Sequence, residues 1–280
     1  MNEFLQKLAE RSTNAIPINE DDYIKDGLLY CGKCHTPKQK RFVVGGKTIM
    51  PRMLCSCETE KRDQEEAEAK RQKQLQYIED LRKTGIQDSK LLSCSFDCDD
   101  NPQSKHSQAF RRYCDKWEEM RAKNIGLIFF GGVGTGKSFY SGCIANEIIN
   151  RYVMPVIVTS IARILNQLFN TEDKNGYISR LANIPLLVID DLGAERETDY
   201  ALEQVYTVID ERYKSEKPLI VTTNLTYEEL KNPTDIRYKR IYDRVIEMCV
   251  PFNLSGVSRR EQKAREKAQN VKALLLDDNF

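Results

Sequence analysis

Gly131-Gly132-Val133-Gly134-Thr135-Gly136-Lys137-Ser138 follows directly on the apolar run Gly126-Leu127-Ile128-Phe129-Phe130. A buried strand, a glycine loop and then a lysine form the pattern G-x-x-x-x-G-K-[ST], which binds phosphate. Glycines at 131, 134 and 136 allow successive backbone N–H groups to turn inward around an anion. Lys137 adds a positive charge for the β- and γ-phosphates, and Ser138 offers a hydroxyl to Mg²⁺. A helix predicted from Phe139 to about Arg151 presents its positive N-terminal end to the same place. The segment Gly132, Val133, Gly134, Thr135, Gly136, Lys137, Ser138, Phe139 is therefore the candidate nucleotide-binding stretch.

Downstream, Leu186-Leu187-Val188-Ile189-Asp190-Asp191 is an apolar strand that ends in two carboxylates. Such a strand buries its body in a parallel sheet and delivers its acids to the carboxyl edge, where the glycine loop also emerges. Asp190 is placed to hold Mg²⁺ through water, and Asp191 to orient and deprotonate an attacking water. The run Leu219-Ile220-Val221-Thr222-Thr223-Asn224 ends at the same edge. Its Asn224 reads either as a contact to the γ-phosphate or lytic water, or as a cap for the next helix. With Val156–Thr159 and a short Met248–Phe252, these runs predict an α/β fold with a parallel sheet flanked by helices. One helix is expected from about His106 to Lys123, after a loop from Leu92 to Asn101.

The N-terminal part reads differently. Cys31-x-x-Cys34 and Cys55-x-Cys57 are separated by twenty residues holding short β-like pieces and a Gly45-Gly46 turn. So short a segment has little core of its own, and two close thiolate pairs suit a tetrahedral Zn²⁺ held by Cys31, Cys34, Cys55 and Cys57. Free thiols are the alternative, and His35 stands beside Cys34 as a substitute ligand. Lys38, Lys40, Arg41, Lys47 and Arg52 form a basic stretch there, read first as solvated charge and second as a contact to an acidic protein or nucleic acid. From Glu58 to Lys83, Glu, Lys, Arg, Gln and Ala predominate, with opposite charges at i,i+4 spacing, which predicts an exposed connecting helix. The expected domains are 1–57, a zinc-binding module; 58–84, a charged helical linker; and 85–280, a nucleotide-binding domain.

Composition limits the partners. Lys and Arg total 43 against 42 Asp and Glu, a net charge of +1, so any polyanion-binding surface must be local. No apolar run is long enough to span a bilayer and the N-terminus lacks a signal-peptide core, so the expectation is a cytoplasmic protein with no membrane partner. Nine cysteines in that setting predict thiols or metal ligands, with Cys143 and Cys249 in the core.

The nucleotide motifs, with Arg240-Ile-Tyr-Asp-Arg244 and Gly256-Val-Ser-Arg-Arg260, resemble the AAA+ ATPases, and within them the bacterial and phage replicative helicase loaders of the DnaC and IstB-like group. The N-terminal cysteines and charged linker resemble those of Gram-positive and phage loaders. The resemblance implies ATP hydrolysis with Mg²⁺, self-association through AAA+ interfaces, and loading of a hexameric replicative helicase onto single-stranded DNA. It assigns Lys137, Asp190, Asp191, Asn224 and Arg244 to catalysis. Arg244 matches the finger that reaches a neighbour's nucleotide, with Arg240 the alternative one turn away. Arg260 matches a second sensor acting in cis, although Arg259 stands where an aromatic is usual and competes for the role. Asp191 replaces the more usual glutamate, so a shorter side chain must reach the water through a small backbone adjustment. In the segment Glu195–Tyr200, Thr198 and Tyr200 are candidate contacts to the DNA strand, against the reading of a plain helix start, and Thr159-Ser160 is another candidate. The rival functions are a transposition helper ATPase of the IstB type and a non-catalytic nucleotide-gated adaptor.

Overall fold

Gly45 and Gly46, both at positive φ, turn the second of two short hairpins in the N-terminal part of the chain. The structure is a computed structural model that describes residues 18–193, 198–256 and 258–276. It divides into two units between Gln76 and Tyr77.

In the first unit, β1 (Tyr23–Lys25) pairs with β2 (Leu28–Tyr30) and β3 (Phe42–Val44) with β4 (Lys47–Ile49), both antiparallel. The β-like pieces expected at Leu28–Tyr30, Arg41–Val44 and Thr48–Met50 fall on β2, β3 and β4, whereas β1 lies outside them, because three residues before Asp26-Gly27 carry no alternation long enough to read. Among the described residues of this unit the buried apolar ones are Leu29, Cys31 and Cys55, and Lys38 is buried with them. Helix α1 (Ser56–Gly85) then runs across the boundary, and its first turns carry the i,i+4 pairs Lys61–Glu65 and Arg62–Glu66. These pairs and the good helix formers around them sustain a solvated helix. Near its end, Ile78 and Leu81 pack on the core of the second unit. The last residue of the helix is Gly85, where a Cβ would meet the carbonyl oxygen of Val156 at 1.9 Å, so no side chain fits.

The second unit begins with α2 (Ser89–Leu92), a 3-10 turn at Phe96–Cys98, α3 (Lys105–Asp115) and α4 (Trp117–Ala122). The predicted single helix is thus broken at Lys116, whose ψ of 22° leaves the helical range. No glycine or proline marks the break, so the residues alone read as continuous. Trp117, fully buried just past it, donates its indole N–H to Met154 Sδ at 3.4 Å.

Five parallel strands follow, β5 (Gly126–Phe130), β6 (Val156–Ser160), β7 (Leu186–Leu192), β8 (Leu219–Thr223) and β9 (Cys249–Asn253), in the order β6-β7-β8-β5-β9. Between them lie α5 (Lys137–Tyr152), α6 (Ile161–Asn170), α7 (Lys174–Asn183), α8 (Asp199–Lys214), α9 (Tyr227–Lys231) and α10 (Ile236–Met248), with α11 (Arg259–Leu276) last. The strands are near-continuous runs of Leu, Ile and Val because each face of the sheet is covered by helices. One buried cluster joins α3, α4 and α5 to one face, and the other joins α6, α7, α8 and α10 to the opposite face. Cys143 and Cys249 are both buried in these cores. Among the described residues no helix is long and apolar enough to cross a membrane.

A buried cation ties the second cluster together. Arg212 on α8 has 0% exposure, and its guanidinium donates to the carbonyls of Leu181, Ala182, Ile184, Pro185 and Pro218. It thereby satisfies the C-terminal end of α7 and the entrances to β7 and β8. Its sequence position gave no sign of this, since a buried arginine is rare unless it finds enough acceptors.

Candidate functional site

The carboxyl edges of β5, β7 and β8 bring the motifs into one place. Gly134 and Gly136 hold φ of +80° and +98°, which opens the loop after β5 into a concave turn. A Cβ on Gly134 would fall 2.2 Å from Ser258 Oγ, so a side chain there would have to displace that hydroxyl as well as hold a strained backbone. Lys137 is only 6% exposed, and its ammonium donates to Gly131 O and Gly132 O, each at 2.8 Å, and to Asn224 Oδ1 at 2.9 Å. Burial holds the Lys137 pKa below the ordinary lysine value, against the opposing pull of Asp191 and Asp190. Ser138 Oγ donates to Asp190 Oδ1 at 2.8 Å. The sheet thus joins loop, acid strand and Asn224 through hydrogen bonds. The capping reading of Asn224 gives way, because Thr226 caps α9 in a capping box with Glu229.

These residues open on a cavity of about 240 Å³ lined by Val133–Phe139, Asp191, Asn224, Cys98, Asp100, Arg259 and Arg260. The wall supplies the glycine loop, two arginines, a lysine, Ser138 and Asp191, and Asp190 stands behind Ser138, hydrogen-bonded to its hydroxyl. This is the donor set that a magnesium nucleoside triphosphate needs. Asp191 sits on a kink, with φ of +56°, and its pKa is raised by burial first and by the charge of Asp190 second. Lys137 and Arg260 act in the opposite direction on it.

The two adjacent arginines have different surroundings. Arg259 Nη2 lies 2.8 Å from Asp100 Oδ1 and 3.8 Å from the buried Asp99, and its guanidinium lies over the rings of Phe139 and Tyr140. Its backbone N–H also donates to Gly134 O at 3.0 Å. Arg260 instead exerts its charge on Lys137 and Asp191. Neither Asp99 nor Asp100 stood out in the sequence, since acidic pairs in loops are common.

Arg244 is not among the cavity residues. It forms an ion pair with Asp210 at 2.7 Å, donates to Tyr206 Oη and Arg240 O at 3.0 Å each, and lies over the Tyr206 ring. Arg240 is exposed. Thr198 is the N-cap of α8, accepting from Ala201 N, which matches the plain reading of a helix start. Tyr200 is 41% exposed, with Lys174 Nζ 5.7 Å from its ring centre. Glu195, Arg196 and Glu197 of that segment lie outside the described residues. Thr159 contacts Gln87 Oε1 and Ser160 caps α6.

In the first unit the sulfurs of Cys31, Cys34, Cys55 and Cys57 all lie within 4.8 Å of one another. Cys31 Sγ and Cys57 Sγ are 3.9 Å apart, close to the edge of about 3.8 Å expected for a tetrahedron with Zn–S bonds of about 2.3 Å. The four cysteines therefore fit a zinc ion. His35 turns away to Tyr23 Oη at 3.3 Å and is not part of the cluster. Two of the five basic residues meet carboxylates, Lys38 buried against Asp22 at 2.6 Å and Arg52 paired with Glu58 at 3.0 Å, while Arg41 donates to the Asp26 carbonyl and Lys40 lies over the Phe42 ring.

Fold and site together define a nucleotide-binding domain of the AAA+ type. A family model described as IstB-like ATP binding protein matches residues 63–268, and the chain belongs to that family. It is similar to a protein named replicative helicase loader DnaI from Bacillus subtilis, 24% identical over 277 residues, covering 91% of this chain and 85% of that relative. It is also 31% identical over 133 residues to a replicative helicase loader DnaC from Escherichia coli, covering 46% of this chain and 53% of DnaC, about half its length. A crystal structure of DnaI shares the fold, with a TM-score of 0.53 and 20% identity over 64% of this chain and 98% of that one.

Proposed function

We propose that this chain is an ATP-hydrolysing loader that delivers a hexameric replicative helicase onto single-stranded DNA. The observation that carries this reading is the joining of Lys137, Asn224, Ser138 and Asp190 beside Asp191, in a chain alignable with a helicase loader over 91% of its length. ATP would lie in the cavity with its phosphates against residues 132–139, Mg²⁺ held by Ser138 and Asp190, and Arg260 near the phosphates. When bound, the metal neutralises charge that develops on the transferred phosphoryl group. Asp191 takes the proton of the attacking water, Lys137 and Asn224 hold the phosphate oxygens, and Arg244 of a neighbouring copy completes the site.

The remaining assignments follow from that reading. Residues 1–57 form the helicase-gripping domain, with zinc on Cys31, Cys34, Cys55 and Cys57; 58–84 is the linker and 85–280 the AAA+ domain. Tyr200 stacks on the DNA strand and Thr198 contacts its backbone. Co-purification with a hexameric replicative helicase, with and without residues 1–57, tests the reading. Retained helicase with the full chain and lost helicase without those residues supports it. Equal retention by both refutes the gripping role, and no retention by either refutes the loader. Absence of ATP turnover despite helicase retention would leave a nucleotide-gated adaptor.

A further inference from the structure

We propose that Thr222 is a positioning residue that sets the place of the Asp191 carboxylate. The inference rests on the reading of Asp191 as the residue that orients the attacking water.

The register between β7 and β8 supplies the reason. Leu187, Val188 and Ile189 face Leu219, Ile220 and Val221, but the next pair is Leu192 with Thr223. Asp190 and Asp191 therefore share the single slot opposite Thr222, which is a β-bulge. In an unbroken strand, consecutive residues point to opposite faces. Here the bulge turns Asp191 into the left-handed region, at φ of +56°, and its side chain lines the same cavity as Lys137 and Asn224. This is the backbone adjustment that a short carboxylate needs where glutamate is the more usual residue.

Thr222 holds the bulge from inside the sheet. It is fully buried, its Oγ1 accepts the Asp191 backbone N–H at 2.9 Å, and it donates to Asp190 Oδ1 at 2.5 Å. One hydroxyl has one proton and free lone pairs, so both bonds are made at once. Ser138 donates to the same Asp190 oxygen, which fixes that carboxylate from two sides. On the far side of the bulge, Thr223 Oγ1 donates to Leu192 O at 2.7 Å. The two threonines thus clamp both ends of the bulge. Left-handed backbone is less favourable than right-handed even for aspartate, so without an acceptor for its N–H the Asp191 kink loses the one hydrogen bond made to it directly by Thr222.

The test compares the full chain with Thr222→Val, Thr222→Ala and Thr222→Ser. Amide hydrogen exchange at Asp191, measured by NMR without nucleotide, reads the bulge directly. Slow exchange is expected in the wild type and Thr222→Ser, and exchange faster by about tenfold or more in the Val and Ala variants. With ATP and Mg²⁺, the Val and Ala variants should lose about tenfold or more in kcat with KM changed by less than about threefold, and Ser should recover most of the loss. Unchanged Asp191 exchange in the Val and Ala variants overturns the proposal, as does faster exchange with unchanged kcat. If Thr222→Val does not fold, the Ala and Ser variants carry the comparison. A wild type that turns over ATP no faster than Asp191→Asn refutes the hydrolytic reading instead, and amide exchange then still decides whether Thr222 holds the bulge.

Discussion

Lys137 Nζ donates to Asn224 Oδ1 at 2.9 Å, so the glycine loop and the end of β8 share one ammonium group. The two side chains are 87 residues apart in sequence and meet only because β5 and β8 are parallel neighbours. They are nevertheless expected to fail differently. Lys137→Ala removes the charge proposed to bind phosphate, so a fluorescent ATP analogue should lose affinity by about tenfold or more. Asn224→Ala removes a polar contact that matters most as charge develops, so kcat should fall by about 10²-fold with affinity kept within severalfold. Equal loss of affinity in both variants would show that Asn224 acts only by holding Lys137.

The left-handed backbone at Asp191 makes asparagine the informative replacement there. Asparagine tolerates that region about as well as aspartate, so Asp191→Asn should melt within about 1 kcal/mol of the wild type. It cannot take a proton, and turnover should drop by about 10²-fold or more while nucleotide affinity is retained. A melting loss comparable to that of a core substitution would assign Asp191 a structural role.

The fold was legible where the chain uses repetition. The apolar strands, the glycine loop and the helix-forming linker each announce themselves over many residues, and five strands fall within two residues of their expected ends. The α3–α4 break was not, because Lys116 carries no breaker chemistry and the interruption depends on how Trp117 packs. At the site, the acids and Asn224 were legible as strand ends. The bulge at Asp191 was not, since it exists only in the pairing of β7 with β8. Thr222 and Thr223 read simply as β-branched strand residues, and their hydroxyls acquire a task only across that pair.

Zinc content checks the cysteine cluster. Purified protein should carry about one equivalent of Zn²⁺, and Cys31→Ser should carry less than about half. Chelation should then raise amide exchange across residues 22–58, where buried apolar side chains are few, and leave exchange in β5 and β8 unchanged. Metal-free protein with the first unit still protected would show that free thiols suffice.

Asp22 and Lys38 give the first unit a pH dependence of its own. The hydrogen bond from Lys38 holds the Asp22 carboxyl below the ordinary range, and Asp22 in turn raises Lys38. The carboxylate's contribution is complete above the unfolded aspartate pKa of about 4 and is lost as pH falls through the lower folded value. Lys38→Met leaves the Asp22 carboxylate buried without its cation, so protection of residues 22–39 should already be weaker than in the wild type at neutral pH, and the further drop on acidification that Asp22 contributes in the wild type should disappear. Zinc content measured at each pH separates this from metal release, and a variant with wild-type protection at neutral pH would remove the pair from the account.

Arg212 should be the least replaceable arginine in the second unit. Leucine at that position leaves the carbonyls of Ala182, Ile184 and Pro218 buried without donors. Each orphaned acceptor costs about 1–3 kcal/mol, so Arg212→Leu should destabilise the domain by at least about 3 kcal/mol. Chemical denaturation followed through Trp117 fluorescence measures it. A loss under about 1 kcal/mol would mean that the carbonyls find other partners.

Arg244 poses the sharpest question about assembly, because it is bound within its own chain. Asp210 pairs with it at 2.7 Å, and Tyr206 both bonds it and underlies its guanidinium. In the proposed role it must leave these contacts to reach a neighbour's nucleotide, a step that would oppose assembly with a free energy the shared site has to exceed. Asp210→Asn weakens that hold without touching the cavity, so turnover at low protein concentration should rise by about two- to tenfold. Arg244→Ala should lose turnover while still binding nucleotide. Mixing it with Lys137→Ala should restore a fraction of the activity, because each inactive copy supplies what the other lacks. Arg240→Ala provides the comparison, since that side chain is already exposed. Restoration with Arg240→Ala and none with Arg244→Ala would transfer the role one turn back along α10 and leave Arg244 as a brace between α8 and α10.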